Sequence, residues 1–203
     1  MSGITTLFWD IGGVVLTNGW DTPARRAAAA RFGLDWEEVQ AQHELVFPAH
    51  EIGQLTLEQY LERTLFFRPR QFTREQFAEF MYAQSQELPD SRAVLRALVR
   101  SGRYRVAAIN NEPRELNEYR IEHFGLREDF GAFFSSCFVG ARKPDAAIYR
   151  IALDVTQSAP ERCVFIDDRV PNLESAARLG MRTIHFQNAA QLRQELGRHG
   201  VGV

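Results

Sequence analysis

Short apolar segments alternate with amphipathic helical segments along most of this chain, and this alternation constrains its fold more than any other feature. Strands that are buried on both faces and joined through helices form parallel sheets with helices on both sides. The alternation therefore predicts an α/β fold, with a Rossmann-like, doubly wound parallel sheet as its core. The predicted strands cover residues 7–9, 104–109, 133–139, 163–166 and 182–186.

A helical block separates the first predicted strand from the second. Its apolar spacing is helical, and Thr56 and Thr73 each stand three residues before a glutamine, as in a capping box. We expect a core of residues 1–16 and 90–203, with a four-helix cap of residues 17–89 inserted after the first strand. The predicted cap helices cover residues 23–32, 36–47, 56–67 and 73–88.

Composition limits the classes of protein to which the chain can belong. With 203 residues and 45% hydrophobic content, it can bury one substantial core and a smaller module. It lacks an apolar run of about 18 residues and a secretion signal, so we expect a cytoplasmic protein without a membrane partner. A net charge of -2 argues against nucleic acid as a partner. Cys137 and Cys163 lie in apolar segments and are predicted to be reduced core thiols.

Polar residues stand where the predicted strands end. Of 24 basic residues only Lys143 is a lysine, whose compact ammonium fits between two oxyanions better than a wide guanidinium does. Each polar residue alone also fits an ordinary turn or helix cap. Parallel open sheets bind ligands outside the carboxyl ends of their strands, so we expect the whole set to converge on one crevice. The set is Asp10, Asn110, Asn111, Lys143, Asp167 and Asp168.

Three converging carboxylates and one ammonium suit phosphate chemistry. Carboxylates that lie close together repel one another unless a hard cation binds them, and oxygen ligands suit Mg²⁺. A carboxylate nucleophile that approaches an anionic phosphate needs such a cation on one side and an ammonium on the other. We therefore predict a Mg²⁺ site for a small phosphorylated substrate, at which Asp10 forms an aspartyl-phosphate.

Four segments, spread over most of the predicted core, carry these residues. They are Asp10-Ile11-Gly12-Gly13-Val14, Ile109-Asn110-Asn111, Arg142-Lys143-Pro144 and Ile166-Asp167-Asp168. In order and spacing they resemble the motifs of the haloacid dehalogenase-like hydrolases, which are mostly phosphatases and insert a helical cap where the helical block falls. The chain is most similar in character to bacterial α-glucose-1-phosphate phosphatase-like members and to the amino-terminal phosphatase domain of soluble epoxide hydrolase.

The resemblance implies a role for each residue. Asp10 is the implied nucleophile and also a Mg²⁺ ligand, together with the carbonyl of Gly12 and the carboxylate of Asp168. Asp167 is implied to lie at or near the outer coordination sphere of the cation. Lys143 is implied to pair with Asp10 and with the phosphate. The implied substrate-binding residues are Gly13, Asn110, Asn111 and Lys143.

Two positions depart from the family pattern. Gly12 stands where most phosphatases of this type have an aspartate that protonates the leaving oxygen, a contribution of about 10² to 10⁴-fold in rate. We therefore expect slow hydrolysis of alkyl phosphates and faster hydrolysis of sugar 1-phosphates, acyl phosphates or aryl phosphates. Asn110 replaces the usual serine or threonine, although its amide can still donate to a phosphate oxygen.

These departures leave alternatives open. A fold does not certify its chemistry, so the chain is alternatively a non-catalytic or weakly active protein that binds a phosphate or a partner. Haloacid dehalogenation also uses an aspartate nucleophile, but Asp167 and Asp168 would place unhelpful charge beside a departing halide. Phosphonate cleavage through a Schiff base needs a second reactive lysine, which the chain lacks.

The predicted cap is rich in aromatic side chains, which at helical spacing are expected to form the core of the bundle. Trp20, in the connection after the nucleophile loop, is instead expected over the crevice. The histidines lack metal-ligand spacing and are assigned no catalytic role. Glu112 and Arg142 fit a solvent-facing position as well as the site. The cap aromatics are Phe47, Tyr60, Phe66, Phe67, Phe72, Phe77, Phe80 and Tyr82.

Overall fold

A single parallel sheet of five strands, in the order β3-β2-β1-β4-β5, forms the centre of the molecule. This computed structural model describes residues 3–202; residues 1, 2 and 203, which the predicted core also includes, lie outside that range. The chain adds strands first on one side of β1 and then on the other, so the predicted doubly wound α/β fold is confirmed. The strands are β1 (Thr6–Trp9), β2 (Arg105–Asn110), β3 (Phe133–Ser135), β4 (Cys163–Asp167) and β5 (Arg182–His185).

The helices fall into two groups. Those that follow β1 form the predicted four-helix cap: α1 (Thr22–Phe32), α2 (Trp36–Glu51), α3 (Leu57–Thr64) and α4 (Arg74–Ala83). Those that connect or follow the later strands are α5 (Pro89–Ser101), α6 (Arg114–His123), α7 (Ser136–Val139), α8 (Ala146–Thr156), α9 (Val170–Arg178) and α10 (Ala189–Arg198).

Side chains of the central strand pack alternately on the two faces of the sheet. Leu7 and Trp9 belong to the cluster that includes Leu95 of α5 and Leu192 of α10. Phe8, between them, belongs to the opposite cluster, with side chains from α8 and α9. Because successive side chains of a strand point to opposite faces, β1 is buried on both sides, and its apolar run ends only where the sheet ends.

The cap has an apolar core of its own that continues onto the sheet domain through Leu116 of α6. Both predicted capping boxes are present, at Thr56 and Thr73. Tyr60 and Phe77 are buried in this core, as expected for the aromatics, whereas Phe67 is 46% exposed. We retain residues 17–89 as the proposed cap and 1–16 with 90–203 as the proposed core.

Two predicted elements differ from the structure. The segment 133–139 is a strand only to Ser135, and residues 136–139 form α7, whose first residue, Ser136, donates its hydroxyl to the carbonyl of Glu51 in the cap. Gly140, with a left-handed backbone, then ends α7. The helix predicted over 73–88 ends early because the chain returns to the core, where Leu88 N donates to Val15 O.

Two further expectations concern the cysteines and the membrane. Cys137 and Cys163 are buried and free, as predicted. Within residues 3–202, no helix combines the length and apolar character needed to cross a bilayer.

Candidate active site

The ammonium of Lys143 lies between two carboxylates at the carboxyl edge of the sheet. Its Nζ is 2.8 Å from Oδ1 of Asp10 and 2.7 Å from Oδ2 of Asp167, and all three side chains are buried. The register of the sheet explains the pairing: Trp9 lies opposite Ile166 in adjacent parallel strands, so the residues that follow them emerge side by side. The predicted convergence of Asp10, Lys143 and Asp167 is therefore present.

Asn111 fixes the loop that carries the lysine. Its side-chain oxygen accepts a hydrogen bond from Lys143 N (2.8 Å), and its Nδ2 donates to Lys143 O (2.9 Å). This pair of bonds holds the lysine backbone against the end of β2 and leaves the side chain free to reach the carboxylates. Asn111 also lines the cavity between the strand ends and the cap. Its side chain therefore positions the Lys143 loop and also stays the predicted substrate contact.

Asp167 is saturated with protein donors. Besides Lys143, it accepts hydrogen bonds from Nδ2 of Asn172 to both oxygens (3.0 Å each) and from Arg169 N (2.8 Å). Both oxygens are thus committed to the protein, which favours a positioning role over direct metal binding. The sequence reasoning missed Asn172, although its place in the first turn of α9, directly after the strand-end acids, was a usable signal.

Asp168 is the acid with capacity left for a cation. Its Oδ1 is buried and has no hydrogen-bond partner among residues 3–202. Oxygens of Asp10, Asp167 and Asp168 lie within 4.8 Å of one another. An unpartnered buried carboxylate oxygen is costly, and an all-oxygen set of this spacing fits a hard cation such as Mg²⁺.

The backbone at Gly13 makes room for that acid. Gly13 has φ +73°, and a Cβ placed on it would lie 2.3 Å from Oδ2 of Asp168. Gly12 differs, because a Cβ there would meet Oδ1 of Asn18 at 3.0 Å and, more distantly, Nη1 of Arg120 and Cα of Asn18, both at 3.9 Å. The first glycine is therefore replaceable with a small adjustment, whereas the second is required for Asp168 to stay in place.

Burial raises the pKa of Asp10 to about 7; the Lys143 ammonium opposes this shift, and the charges of Asp167 and Asp168 add to it. One ammonium thus does not compensate for three neighbouring carboxylates. A divalent cation would supply the missing positive charge and favour the ionised form of Asp10.

Asn110 does not lie where a phosphate contact was predicted. Its Nδ2 donates to Oδ1 of Asn117 (2.9 Å), and its Oδ1 accepts from Oγ of Ser135 (2.8 Å). The side chain is 1% exposed and is absent from the cavity lining. Its polar atoms join the ends of β2 and β3 to α6, because a buried amide needs partners and these are the ones within reach.

A cavity of about 500 Å³ lies between the strand ends and the cap. Asp10, Gly12 and Lys143 line its core side, whereas Arg25 and His43 line its cap side. The sequence reasoning missed both cap residues, since neither stands in a recognisable motif. The cavity lining also includes Trp20, Phe47, Glu51, Asn111, Glu112, Arg120 and Arg142.

Trp20 belongs both to the wall of the cavity and to the apolar core of the cap. It faces this cavity, as expected, and it is also 5% exposed and packed edge-on against Phe77 in the cap core. Its indole Nε1 donates to the hydroxyl of Tyr60 (2.9 Å). Trp20 therefore joins the wall of the cavity to the interior of the cap.

Glu112 and Arg142 connect elements and do not simply face solvent. Glu112 is buried and forms an ion pair with Arg120. Arg142 donates to Oε2 of Glu51 at 2.7 Å and so links the core to the C-terminal end of α2. The carboxylates of Glu112 and Glu51, which both line the cavity, are thus paired with arginines.

Comparison with known proteins gives three findings. Residues 4–180 match the family model described as haloacid dehalogenase-like hydrolase. Flavin mononucleotide hydrolase 1 of Arabidopsis thaliana is 29% identical over 182 residues, which are 89% of this chain and 73% of that protein. Bifunctional epoxide hydrolase 2 of Mus musculus is 39% identical over 71 residues, which are 35% of this chain and 13% of that protein.

A solved structure has the same fold. A HAD family enzyme from Bacteroides thetaiotaomicron, crystallised in complex with magnesium and inorganic phosphate, superposes with a TM-score of 0.79 at 18% identity. The superposition covers 92% of this chain and 96% of that chain. At this identity the likeness concerns the fold, including the helical cap above the sheet.

We predict that Gly13→Ala weakens Mg²⁺ binding by about 10- to 100-fold, because the new methyl group displaces a proposed ligand, Asp168. Calorimetric titration with Mg²⁺ measures the effect. Gly33→Ala is the matched control: Gly33 also has a positive φ, but a Cβ there meets nothing within 4 Å. Equal affinity of the Gly13→Ala variant and the parent would contradict the assignment of this site.

We also predict that Mg²⁺ affinity rises with pH up to about 7 and then levels off. Below that pH the Asp10 carboxyl must lose a proton before it can act as a ligand, so affinity should increase about tenfold per pH unit. Titrations in buffers of different ionisation enthalpy report the released proton. A parent protein whose affinity does not change across this range would contradict the prediction. Asp10→Asn should weaken the dependence but leave part of it, because burial also raises the pKa of Asp168.

Proposed function

Since this chain belongs to the haloacid dehalogenase-like hydrolases, we propose that it is a Mg²⁺-dependent phosphatase of small phosphorylated metabolites. The observation that carries the proposal is the ammonium of Lys143 between Asp10 and Asp167, beside the unpartnered carboxylate oxygen of Asp168. A fixed cation next to a carboxylate that has room for a metal suits attack on a phosphate better than attack on a neutral substrate.

Asp10, the carbonyl of Gly12 and Asp168 would hold the Mg²⁺. When bound, the cation supplies positive charge that lets an anionic nucleophile approach an anionic phosphate. Asp167 would stay outside the direct ligands, because its oxygens already accept hydrogen bonds from Lys143, Asn172 and the backbone. Its role is to fix the ammonium at the height of the Asp10 carboxylate.

Asp10 is the proposed nucleophile. Its carboxylate oxygen attacks phosphorus, the bond from phosphorus to the leaving oxygen breaks, and the leaving group departs with a proton from solvent or from a nearby donor. Water then attacks the phosphorus of the aspartyl-phosphate, which releases inorganic phosphate and restores Asp10. Lys143 neutralises charge on the phosphate oxygens in both steps, and Asn111 completes the proposed phosphate site. Gly13, predicted as a further substrate contact, donates its N–H to Leu16 O and is absent from the cavity lining, so its role here is to make room for Asp168.

The leaving group decides the rate in this proposal. Gly12 leaves no carboxylic acid at the position from which the leaving oxygen is usually protonated. Substrates whose leaving groups depart without much help, such as sugar 1-phosphates, acyl phosphates and aryl phosphates, are therefore favoured. Flavin mononucleotide belongs in any substrate panel, because the name of the Arabidopsis relative gives it as the compound hydrolysed.

A second candidate is a protein that binds a phosphate or a partner with little turnover. Two observations favour it: Gly12 removes the usual acid, and the side chain of Asn110 is committed to Asn117 and Ser135. Turnover of an activated phosphate distinguishes the candidates. A cytoplasmic location and the lack of a nucleic-acid partner stay predictions from the sequence.

We expect Asp10→Asn to lower turnover of para-nitrophenyl phosphate by at least about 10³-fold, because the amide cannot form the aspartyl-phosphate. A chelator should abolish the parent's activity, and Mg²⁺ should restore it. Asp154→Asn, an exposed aspartate on α8, is the matched control and should retain full activity. A folded parent that is inactive on every substrate of the panel would favour the binding protein.

We expect Gly12→Asp to raise turnover of alkyl phosphates. The new side chain needs Asn18 to shift, since Asn18 Oδ1 lies 3.0 Å from the Cβ position, so the variant is best combined with Asn18→Ala. A general acid contributes about 10² to 10⁴-fold, and the ratio of alkyl to aryl phosphate turnover should rise at least about tenfold. Asn18→Ala alone is the control. An unchanged ratio in a folded double variant would count against a missing acid.

A further inference from the structure

The cap side of the cavity presents a surface with distinct chemistry, which we call the cap wall and define as Arg25, His43 and Phe47. Arg25 comes from α1, and the other two residues come from α2. All three line the same cavity as Asp10 and Lys143. A phosphorylated substrate whose phosphate meets the core side would therefore place its leaving group against this wall.

Arg25 brings a buried positive charge without a carboxylate partner. The residue is 6% exposed, and its side chain donates to Trp20 O (2.6 Å), Gln40 Oε1 (3.1 Å) and Thr22 Oγ1 (3.1 Å), all of them neutral acceptors. No carboxylate of residues 3–202 lies within salt-bridge distance of it. A guanidinium has five N–H groups, so about two remain unused.

Burial lowers the pKa of Arg25, and the nearby carboxylates of Asp21 and Glu44 oppose this shift only in part, without forming an ion pair with the guanidinium among the described residues. Glu51 and Glu112 pair with Arg142 and Arg120, respectively. Asp21 accepts the capping hydrogen bond from Ala24 N at the start of α1. Burying an unpaired charge is costly unless a ligand supplies the counter-charge, so Arg25 indicates an anion as its missing partner.

A hydrogen-bond chain fixes His43 as a second donor. Trp20 Nε1 can only donate, so the Tyr60 hydroxyl accepts from it and directs its own proton to Nδ1 of His43, 2.8 Å away. The proton of His43 is then on Nε2, for which the described residues provide no acceptor. Burial lowers the pKa of His43 to about 3, which keeps the ring neutral, and the bond to Tyr60 selects the tautomer.

Phe47 adds a flat apolar surface. Its ring lies 4.4 Å from the His43 ring, at 31° to it, and the residue is half-buried. The cap wall therefore combines a cation, an N–H donor and an aromatic face, with no free acceptor among its side chains. Such a wall would bind oxyanions attached to a planar or apolar body and would disfavour groups that only donate.

We propose that the cap wall binds a second anionic group, a carboxylate or a phosphate, carried by the leaving group of the substrate. This inference rests on the proposed function, since it assigns the leaving group of the same phosphorylated substrate. Arg25 would make the charge-assisted contact, His43 would donate the second hydrogen bond, and Phe47 would pack against the body of the leaving group. Tyr60 would act as a positioning residue for His43.

Binding of unreactive analogues tests the inference on the unchanged protein. In the presence of Mg²⁺, para-carboxybenzylphosphonate should bind about 10- to 100-fold more tightly than para-carbamoylbenzylphosphonate, which has the same shape and the same phosphonate but an uncharged second group. The para-xylylene bisphosphonate shows whether the second group is a carboxylate or a phosphate. Equal affinities of all three analogues would overturn the inference and leave the phosphate site intact. If none binds, the proposed function fails, and the inference fails with it.

Variants then test which side chains carry the preference. Arg25→Met should reduce the ratio of the two affinities to about one, because it weakens binding of the carboxylate analogue far more than binding of the carbamoyl analogue, and Arg25→Lys should restore part of that ratio. An equal loss for both analogues in Arg25→Met would mean that Arg25 only supports the fold of the cap. Tyr60→Phe should shift the His43 proton between its two nitrogens, which nitrogen-15 spectra report. A His43 proton found on Nδ1 in the parent would also overturn the assigned role of His43.

Discussion

The contact between the Lys143 ammonium and the carboxylates of Asp10 and Asp167 is the interaction on which the rest of the site depends. Three acids whose oxygens lie within 4.8 Å of one another would repel strongly in a buried setting without it. Two asparagine side chains keep the lysine in this position. The side chain of Asn111 bonds both the N–H and the carbonyl of Lys143, and Asn172 donates to the carboxylate of Asp167. Three carboxylates and one ammonium together carry a net negative charge, which a divalent cation would compensate.

The cavity depends on how the cap rests on the core. Glu51 at the end of α2 meets both Arg142 and the Ser136 hydroxyl, and Leu57 N at the start of α3 donates to Glu115 of α6 at 2.9 Å. The apolar core of the cap continues onto α6. The same helices that build the cap therefore set the distance between the cap wall and the strand ends. In the proposed function, the sheet edge carries the chemistry and the helical layer contacts the leaving group.

Much of the fold was predictable because it depends on local pattern. Buried strands appear in the sequence as apolar runs. Thr56 and Thr73 mark helix starts, because each forms a capping box with the glutamine three residues later. Errors arose where a distant partner decided the local structure. α7 begins at Ser136, where the chain meets the cap: the Ser136 hydroxyl bonds the carbonyl of Glu51, a residue 85 positions away along the chain. No window of sequence around Ser136 contains that information.

The sequence by itself determined the chemistry at the strand ends. The carboxyl ends of parallel strands meet at one edge, so Asp10, which follows β1, and Asp167, which ends β4, had to converge once the sheet was parallel. Lys143 lies in the loop beyond α7 and reaches the same edge through the bonds that Asn111 makes to its backbone. Only the tertiary structure decided which polar side chains are spent on the scaffold and which face the cavity. Asn110 is satisfied inside the core, whereas Arg25 is brought to the cavity with neutral hydrogen-bond acceptors and no ion-pair partner among residues 3–202. These outcomes depend on partners that folding brings together from far along the chain, because a buried polar group takes the partners within reach.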